Sequence, residues 1–327
     1  MARQFRGSAR CELGDPKGLD DLQQALKMSL QYGLGHETVR CHINLADWVW
    51  YIEGPAKALE IQRAGIRFGE HRGITGPVLW TKGESLWTLF DLGEWDELIR
   101  TADELITWDR AHGGSYFGVM ALTYRAGVLL WRGRLSEAAS LEEEFLARAR
   151  DIGDPQILAP ALAVGAVIEQ RRGNLLPAVG LVRDLEEATR ETPPQFRAQH
   201  VAEAARVAVS AGENSLARRL TEGAGAATTR DHLSVLTARA VIAEAHGSPD
   251  DAEALYHRAA VGWGEFGHTL ERGLAFLGAG RCLLGLEKRS EAEAALKGAR
   301  DVFLGLGAVP LVEETDVLLG GATALTS

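Results

Sequence analysis

Three places in this chain bring together residue types that could do chemistry. His36, Cys41 and His42 are metal-ligand types, but they stand at i, i+5 and i+6, whereas a helix puts i and i+4 on one face. No fourth ligand accompanies them, so they read as packing and capping residues. Glu142-Glu143-Glu144 offers carboxylates for acid–base work, yet consecutive helical residues point in different directions, and the run reads as a solvated face. Gly278-Ala279-Gly280 has the look of a dinucleotide loop, but it lacks the third glycine and follows no strand; it reads as a site of close helix packing. There is no G-x-x-x-x-G-K-[ST] loop to cradle phosphates and no local Ser-His-Asp or Cys-His arrangement. The reading assigns no catalytic residue, no metal and no cofactor, and expects a protein that is not an enzyme.

Aromatics carry the stronger signal. Seven of the eight tryptophans precede residue 132: Trp48, Trp50, Trp80, Trp87, Trp95, Trp108 and Trp131. Trp50, Trp95 and Trp108 are read as core packing. The others need the elements that position them.

Those elements repeat. Turn positions Gly14, Gly54, Gly93, Gly133, Gly173, Gly212, Gly247 and Glu287 are separated by 40, 39, 40, 40, 39, 35 and 40 residues. Around Gly133, the apolar run Thr123–Arg132 is followed by the amphipathic Leu135–Arg150, and small Ala126 and Ala138 let two antiparallel helices approach closely. Unit ends Gly33, Gly73, Gly113, Gly153 and Pro193 lie 40 residues apart as well. A fixed period of helix–turn–helix units signals an all-α solenoid. The reading is eight hairpins, with Pro310–Leu319 as a terminal helix covering the last apolar edge. Unit six is the irregular one. Its second helix, roughly Ser215–Glu222, is short and runs into Gly223–Thr229, where a looser joint is expected; the period resumes in register, so one continuous array over 1–327 is favoured over two subdomains.

Composition narrows the partners. A net charge of −10 disfavours nucleic acid, whose phosphates need clustered Lys and Arg. The longest apolar tract, Ile157–Ile168, is too short to span a bilayer and contains Pro160. Cys11, Cys41 and Cys282 form no CxxC pair and fit a reducing cytoplasm.

The small–Gly–Ala spacing of Ala126, Gly133 and Ala138 resembles the tetratricopeptide repeat, here about six residues longer than the usual unit. The stretches RGSARCELGD (6–15), NLADWVW (44–50), RARDIGDPQILAPALAV (148–164) and GAGRCLLGL (278–286) further resemble the C-terminal repeat region of actinobacterial multidomain signalling ATPases. These are the adenylate/guanylate cyclase–ATPase–repeat proteins and LuxR-type regulators. The likeness covers nearly the whole chain but only the repeat portion of that architecture. It implies an upstream nucleotide-binding module, for which no phosphate loop is found, and every segment is already assigned to a repeat. No catalytic residue transfers, and the opening in mid-repeat leads us to expect a detached or truncated C-terminal part. Glu287 departs from the pattern by replacing the turn glycine.

In tetratricopeptide-type arrays the first helix of each unit lines a concave inner surface. By that resemblance unit two presents Asn44, Trp48 and Tyr51, unit three Trp80, Trp87 and Phe90, and unit four Thr123, Gly127 and Trp131. Later units present Gln170, Arg206 and Arg281. Two accounts stay open: the aromatics are anchors of an exposed binding groove, or the superhelix is tight enough to bury them as core. The function this implies is a non-catalytic protein- or peptide-interaction scaffold, the ligand-sensing or regulatory region of a signalling or transcription-regulatory system. The alternative is an autoregulatory segment whose partner is a nucleotide cyclase or ATPase module.

Overall fold

The computed structural model describes residues 2–324, with the side chains of 2–320. The described residues form helices and no strands. Unit one pairs α1 (Ala2–Glu12) with α2 (Lys17–Gln31), unit two α3 (Gly35–Ile52) with α4 (Pro55–Glu70), and unit three α5 (Thr75–Leu92) with α6 (Trp95–His112). Units four and five are α7 (Tyr116–Trp131) with α8 (Leu135–Ile152), and α9 (Pro155–Arg171) with α10 (Leu175–Ala188). Unit six holds α11 (Gln195–Ala198), α12 (Val201–Ser210) and α13 (Asn214–Glu222). Units seven and eight are α14 (Thr229–Ala245) with α15 (Pro249–Phe266), and α16 (Thr269–Gly285) with α17 (Arg289–Leu306); α18 (Val309–Ala324) closes the end. The chain is an all-α superhelix of eight hairpins and a capping helix.

The turns form for the reason their spacing suggests. All seven expected turn glycines have positive φ, and Glu287 is the one non-glycine among the described residues that does, at 61°. At Gly133 the amide bonds Leu130 O and the next amide bonds Leu129 O, which satisfies the last carbonyls of α7. Glu287 and Lys288 repeat that pattern on Leu284 and Leu283, so the hydrogen bonding holds the strained backbone in place. Where the two helices cross, Ala126, Ala138, Ala166, Ala178, Ala205 and Ala217 are buried. Gly278 and Gly280 are also packing sites: a Cβ at either would lie 2.5 Å from the Tyr256 ring or the Leu296 side chain.

Two elements differ from expectation. Helix α7 begins at Tyr116 rather than Thr123, because Ser115 caps it by accepting the Gly118 amide at 3.1 Å. The first helix of unit six is broken between Ala198 and Val201. Pro193-Pro194 starts it in a tight turn, and the His200 amide bonds Arg197 O instead of completing a regular helical turn.

The superhelix closes on itself. Helix α3 packs on α14, α5 on α16 and α7 on α18, so each unit meets the unit five places later. Thr229 Oγ1 donates to Ile52 O at 2.9 Å, and 40 residues further along both strands of the contact Thr269 Oγ1 donates to Leu92 O at 2.9 Å. Gly54 sits in this seam at φ 107°, and a Cβ there would lie 2.3 Å from the Phe266 carbonyl oxygen. The inner helices therefore enclose a lumen.

Candidate functional site: the superhelix lumen

The lumen is a cavity of about 790 Å³ with two unlike walls. Trp87 and Phe90 of α5 and Tyr124 and Trp131 of α7 make the aromatic wall. Tyr124 joins them, its ring 6.5 Å from Trp87 and 6.0 Å from Phe90, both edge-on. Gly127 leaves a recess between them: a Cβ there would touch the Phe90 ring at an ordinary 3.5 Å.

The opposite wall, from α12, α14 and α16, is ionic. Arg206 grips Glu271 through two bonds of 2.7 and 2.6 Å. Burial alone would raise the Glu271 carboxyl, but Arg206 outweighs it and holds that carboxyl below its usual range. Arg281 grips Glu244 at 2.7 and 3.0 Å, and the Tyr256 hydroxyl donates to the same carboxylate at 2.7 Å. Burial again works against Glu244, and Arg281 again prevails.

A third cluster spans the seam. Asp91, at the end of α5, accepts from Arg230 Nη1 at 2.5 Å and Trp50 Nε1 at 2.8 Å, with His268 Nε2 at 3.2 Å. The Arg230 guanidinium lies 3.8 Å over the Trp50 ring. Burial lowers His268 despite Asp91, so its ring is neutral; Nε2 carries the proton toward Asp91 and Nδ1 has no partner. His200, in the break of unit six, is pushed down to about 3 by burial and then by Arg230. Glu203, one turn from Arg206 on α12, has no hydrogen bond or ion pair among the described residues, only longer-range interactions with Glu271 and Arg206. Burial, then Glu271, pushes it up to about 7.

The expected inner-surface residues divide among several places. Trp87, Phe90, Gly127, Trp131, Gln170, Arg206 and Arg281 line the lumen. Trp48 and Tyr51 line a side chamber of about 60 Å³ that shares Trp87 and Tyr124 with it. Asn44 and Trp80 lie in a separate groove with Phe5 and His36. Thr123 is 1% exposed, its Oγ1 unpartnered. Trp48, Tyr51, Trp87 and Trp131 are all buried, so the inner aromatics are enclosed by the closed superhelix rather than spread on an open groove.

Two readings of single residues change. Glu142 is not on a solvated face: it packs toward α9, where burial and then Glu169 push it up to about 7, while Glu143 and Glu144 stay exposed. Trp108 is half-buried, not core, and stacks on His112 with centroids 4.0 Å apart. Trp50 and Trp95 are core as expected. His42 Nδ1 is committed to Thr38 O at 2.8 Å and Cys41 is buried, as packing and capping require.

Asp91, Tyr124, Glu203, Arg230, Glu244, His268 and Glu271 were missed. Part of the signal was available. Asp91 stands two residues before the Gly93 turn and Glu244 three before Gly247, which are inner positions of the repeat. Arg230, His268 and Glu271 lie at helix starts, and only closure of the superhelix brings them to the lumen.

No family model matches the chain, and no curated protein does. Solved structures match its fold. The chain superposes over 98% of its length on 63% of the matched chain of the APC/C hetero-tetramer Cut9–Hcn1, at TM-score 0.66 and 16% identity. It thus spans less than two thirds of that chain. A tetratricopeptide repeat protein from Parabacteroides merdae gives TM-score 0.45 at 13% identity over 91% of this chain and 98% of that one. A Rap protein complexed with competence and sporulation factor gives 0.49 at 14% identity, covering 75% and 77%. The fold is a tetratricopeptide-like superhelix. Among the described residues no helix is long and apolar enough to cross a membrane.

Proposed function

We propose that this chain is a non-catalytic binding module that senses a ligand in its lumen, as the regulatory repeat region of a signalling or transcription-regulatory system. The observation that carries the reading is the cavity of about 790 Å³, with an aromatic wall facing a wall of fixed charges. Ligand sites have this form: a concavity of roughly 300–1,000 Å³, apolar over much of its surface, with a few polar groups that fix orientation. Trp87, Phe90, Trp131, Gln170, Arg206 and Arg281 are the proposed contacts. The whole chain acts as one array, because the lumen is made jointly by units three to eight and the capping helix. The effect on a protein partner, such as a cyclase or ATPase module, follows from ligand-dependent tightening of the seam between units two to four and the units five places on. The three cysteines are free and buried, which suits a reducing cytoplasm.

Gly127→Phe tests this, because it fills the recess of the aromatic wall without touching the hairpin turns. A thermal-shift screen of small molecules and short peptides should yield compounds that raise the Tm of the native chain and not of the variant. A screen without any such compound, or with compounds that stabilise both chains equally, would sink the lumen as the site.

A further inference from the structure

Resting on that reading of the lumen, the geometry points to the class of ligand: we propose that it takes a monocation with an aromatic or apolar body, its ammonium against Glu203 and its body on Trp87, Phe90, Tyr124 and Trp131. Five carboxylates line the cavity (Asp91, Glu203, Glu244, Glu271, Glu314) against four guanidiniums (Arg171, Arg206, Arg230, Arg281). With both lumen histidines neutral, the formal balance is one negative charge. One carboxylate stands apart from the pairs. Asp91, Glu244 and Glu271 each have an arginine at 2.7 Å or closer, and Glu314 shares Arg281 with Glu244 at 3.6 Å; of the lining charges, Arg171 lies over Trp131 without an ion pair among the described residues. Glu203 has no such arginine.

A partly buried carboxylate without a partner is costly, and burial raises its pKa to about 7. An ammonium ion beside it removes the cost directly. The opposite wall already takes cations, since Arg171 lies 5.1 Å over Trp131 and, across the seam, Arg230 lies 3.8 Å over Trp50. An anion would fare worse. Three of the arginines are committed to carboxylates, the fourth is solvent-exposed at the rim, and Glu203 would remain uncompensated. A metal ion is no better served, because among the described residues no group of three His, Cys, Asp or Glu could hold one.

The groups facing Glu203 set the pH dependence. Arg206 on its own helix lowers it, while Glu271 from α16 raises it, and the Tyr124 hydroxyl from α7 lies opposite; Arg230 from α14 acts on neighbouring His200. The amine stays protonated, so only Glu203 changes charge near neutrality. Affinity is greatest at pH 8 and falls on acidification through about pH 7, as the carboxylate takes a proton.

The test uses the full chain at pH 8 and three indoles that differ in charge: tryptamine, neutral 3-methylindole and indole-3-propionate. Calorimetric titration should give tryptamine an affinity at least tenfold above the propionate. Glu203→Gln should abolish that preference while the chain stays at least as resistant to urea as the native one. Equal or tighter binding of the propionate, or a preference that survives in the variant, overturns the cation class. In that case 3-methylindole binding that is lost in Gly127→Phe leaves the lumen reading standing. If none of the three binds, both fall.

Discussion

The aromatic wall and the ionic wall are built from corresponding helices of the repeat, yet they are held together in different ways. The aromatic wall is satisfied by near neighbours in sequence. Trp87, Phe90 and Tyr124 meet across one unit boundary, and any stacking of units three and four would bring them together. The charged groups are satisfied partly over distance: Arg281 reaches 37 residues back to Glu244, but Arg206 reaches 65 residues to Glu271, and Arg230, in the seam, reaches 139 residues back to Asp91. Dispersion and burial are non-directional, so large rings tolerate variation in superhelical pitch. Bidentate ion pairs do not, because a small change of register leaves a buried charge alone. The aromatic wall and the Arg281–Glu244 pair are supplied by adjacent units, the Arg206–Glu271 pair spans units six to eight, and the Arg230–Asp91 pair exists only once the superhelix has closed.

The largest effect should come from the aromatic wall. Trp87→Ala removes a side chain that is 5% exposed and should cost about 3–5 kcal/mol of unfolding free energy in urea. Phe90→Ala, half-buried and facing the lumen, should cost less stability and more ligand affinity. If the two variants are equally destabilised, the wall is core throughout.

Next is the seam. Arg230→Met leaves Asp91 buried with only Trp50 and His268, and should cost about 3 kcal/mol at pH 8. Burial holds His268 neutral in the native chain, with Asp91 and Glu271 pulling it up and Arg230 and Arg206 pushing it down. Removing Arg230 raises its pKa, so the loss should shrink toward pH 5 as the imidazolium stands in. A loss that grows on acidification would show that the seam does not depend on this cluster. The smallest effect belongs to Glu287, whose φ of 61° is strained for a side chain. Glu287→Gly should raise stability by about 0.5 kcal/mol, the relief of strain less the flexibility gained by the unfolded chain. A decrease would mean the Glu287 side chain contributes more than its backbone costs.

Much of this molecule was legible in its residues because helices and tight turns are local. The spacing of Gly14 through Glu287 located all eight hairpin turns, including the glutamate that takes a glycine's conformation. It did not show the break at Gln199-His200, because Gln195, Arg197 and Ala198 before it and Ala202, Glu203 and Ala204 after it are good helix formers. Nor did it show Ser115 as a cap, since the apolar run beyond it has no clear start.

What the sequence by itself determined, then, is the repeat: which segments become helices and where they turn. Whether the inner face of the array is an open groove or a closed chamber depends on superhelical pitch, which sums small packing rotations over five units and is set by contacts such as Gly54 on Phe266 and Thr269 on Leu92. Those contacts join residues about 200 positions apart, and no local pattern encodes them. For the same reason Arg230, His268 and Glu271 could not be assigned to a site from their helix positions. Tertiary closure alone decided that Asp91, already bonded by Trp50 of the preceding unit, would also have Arg230 and His268.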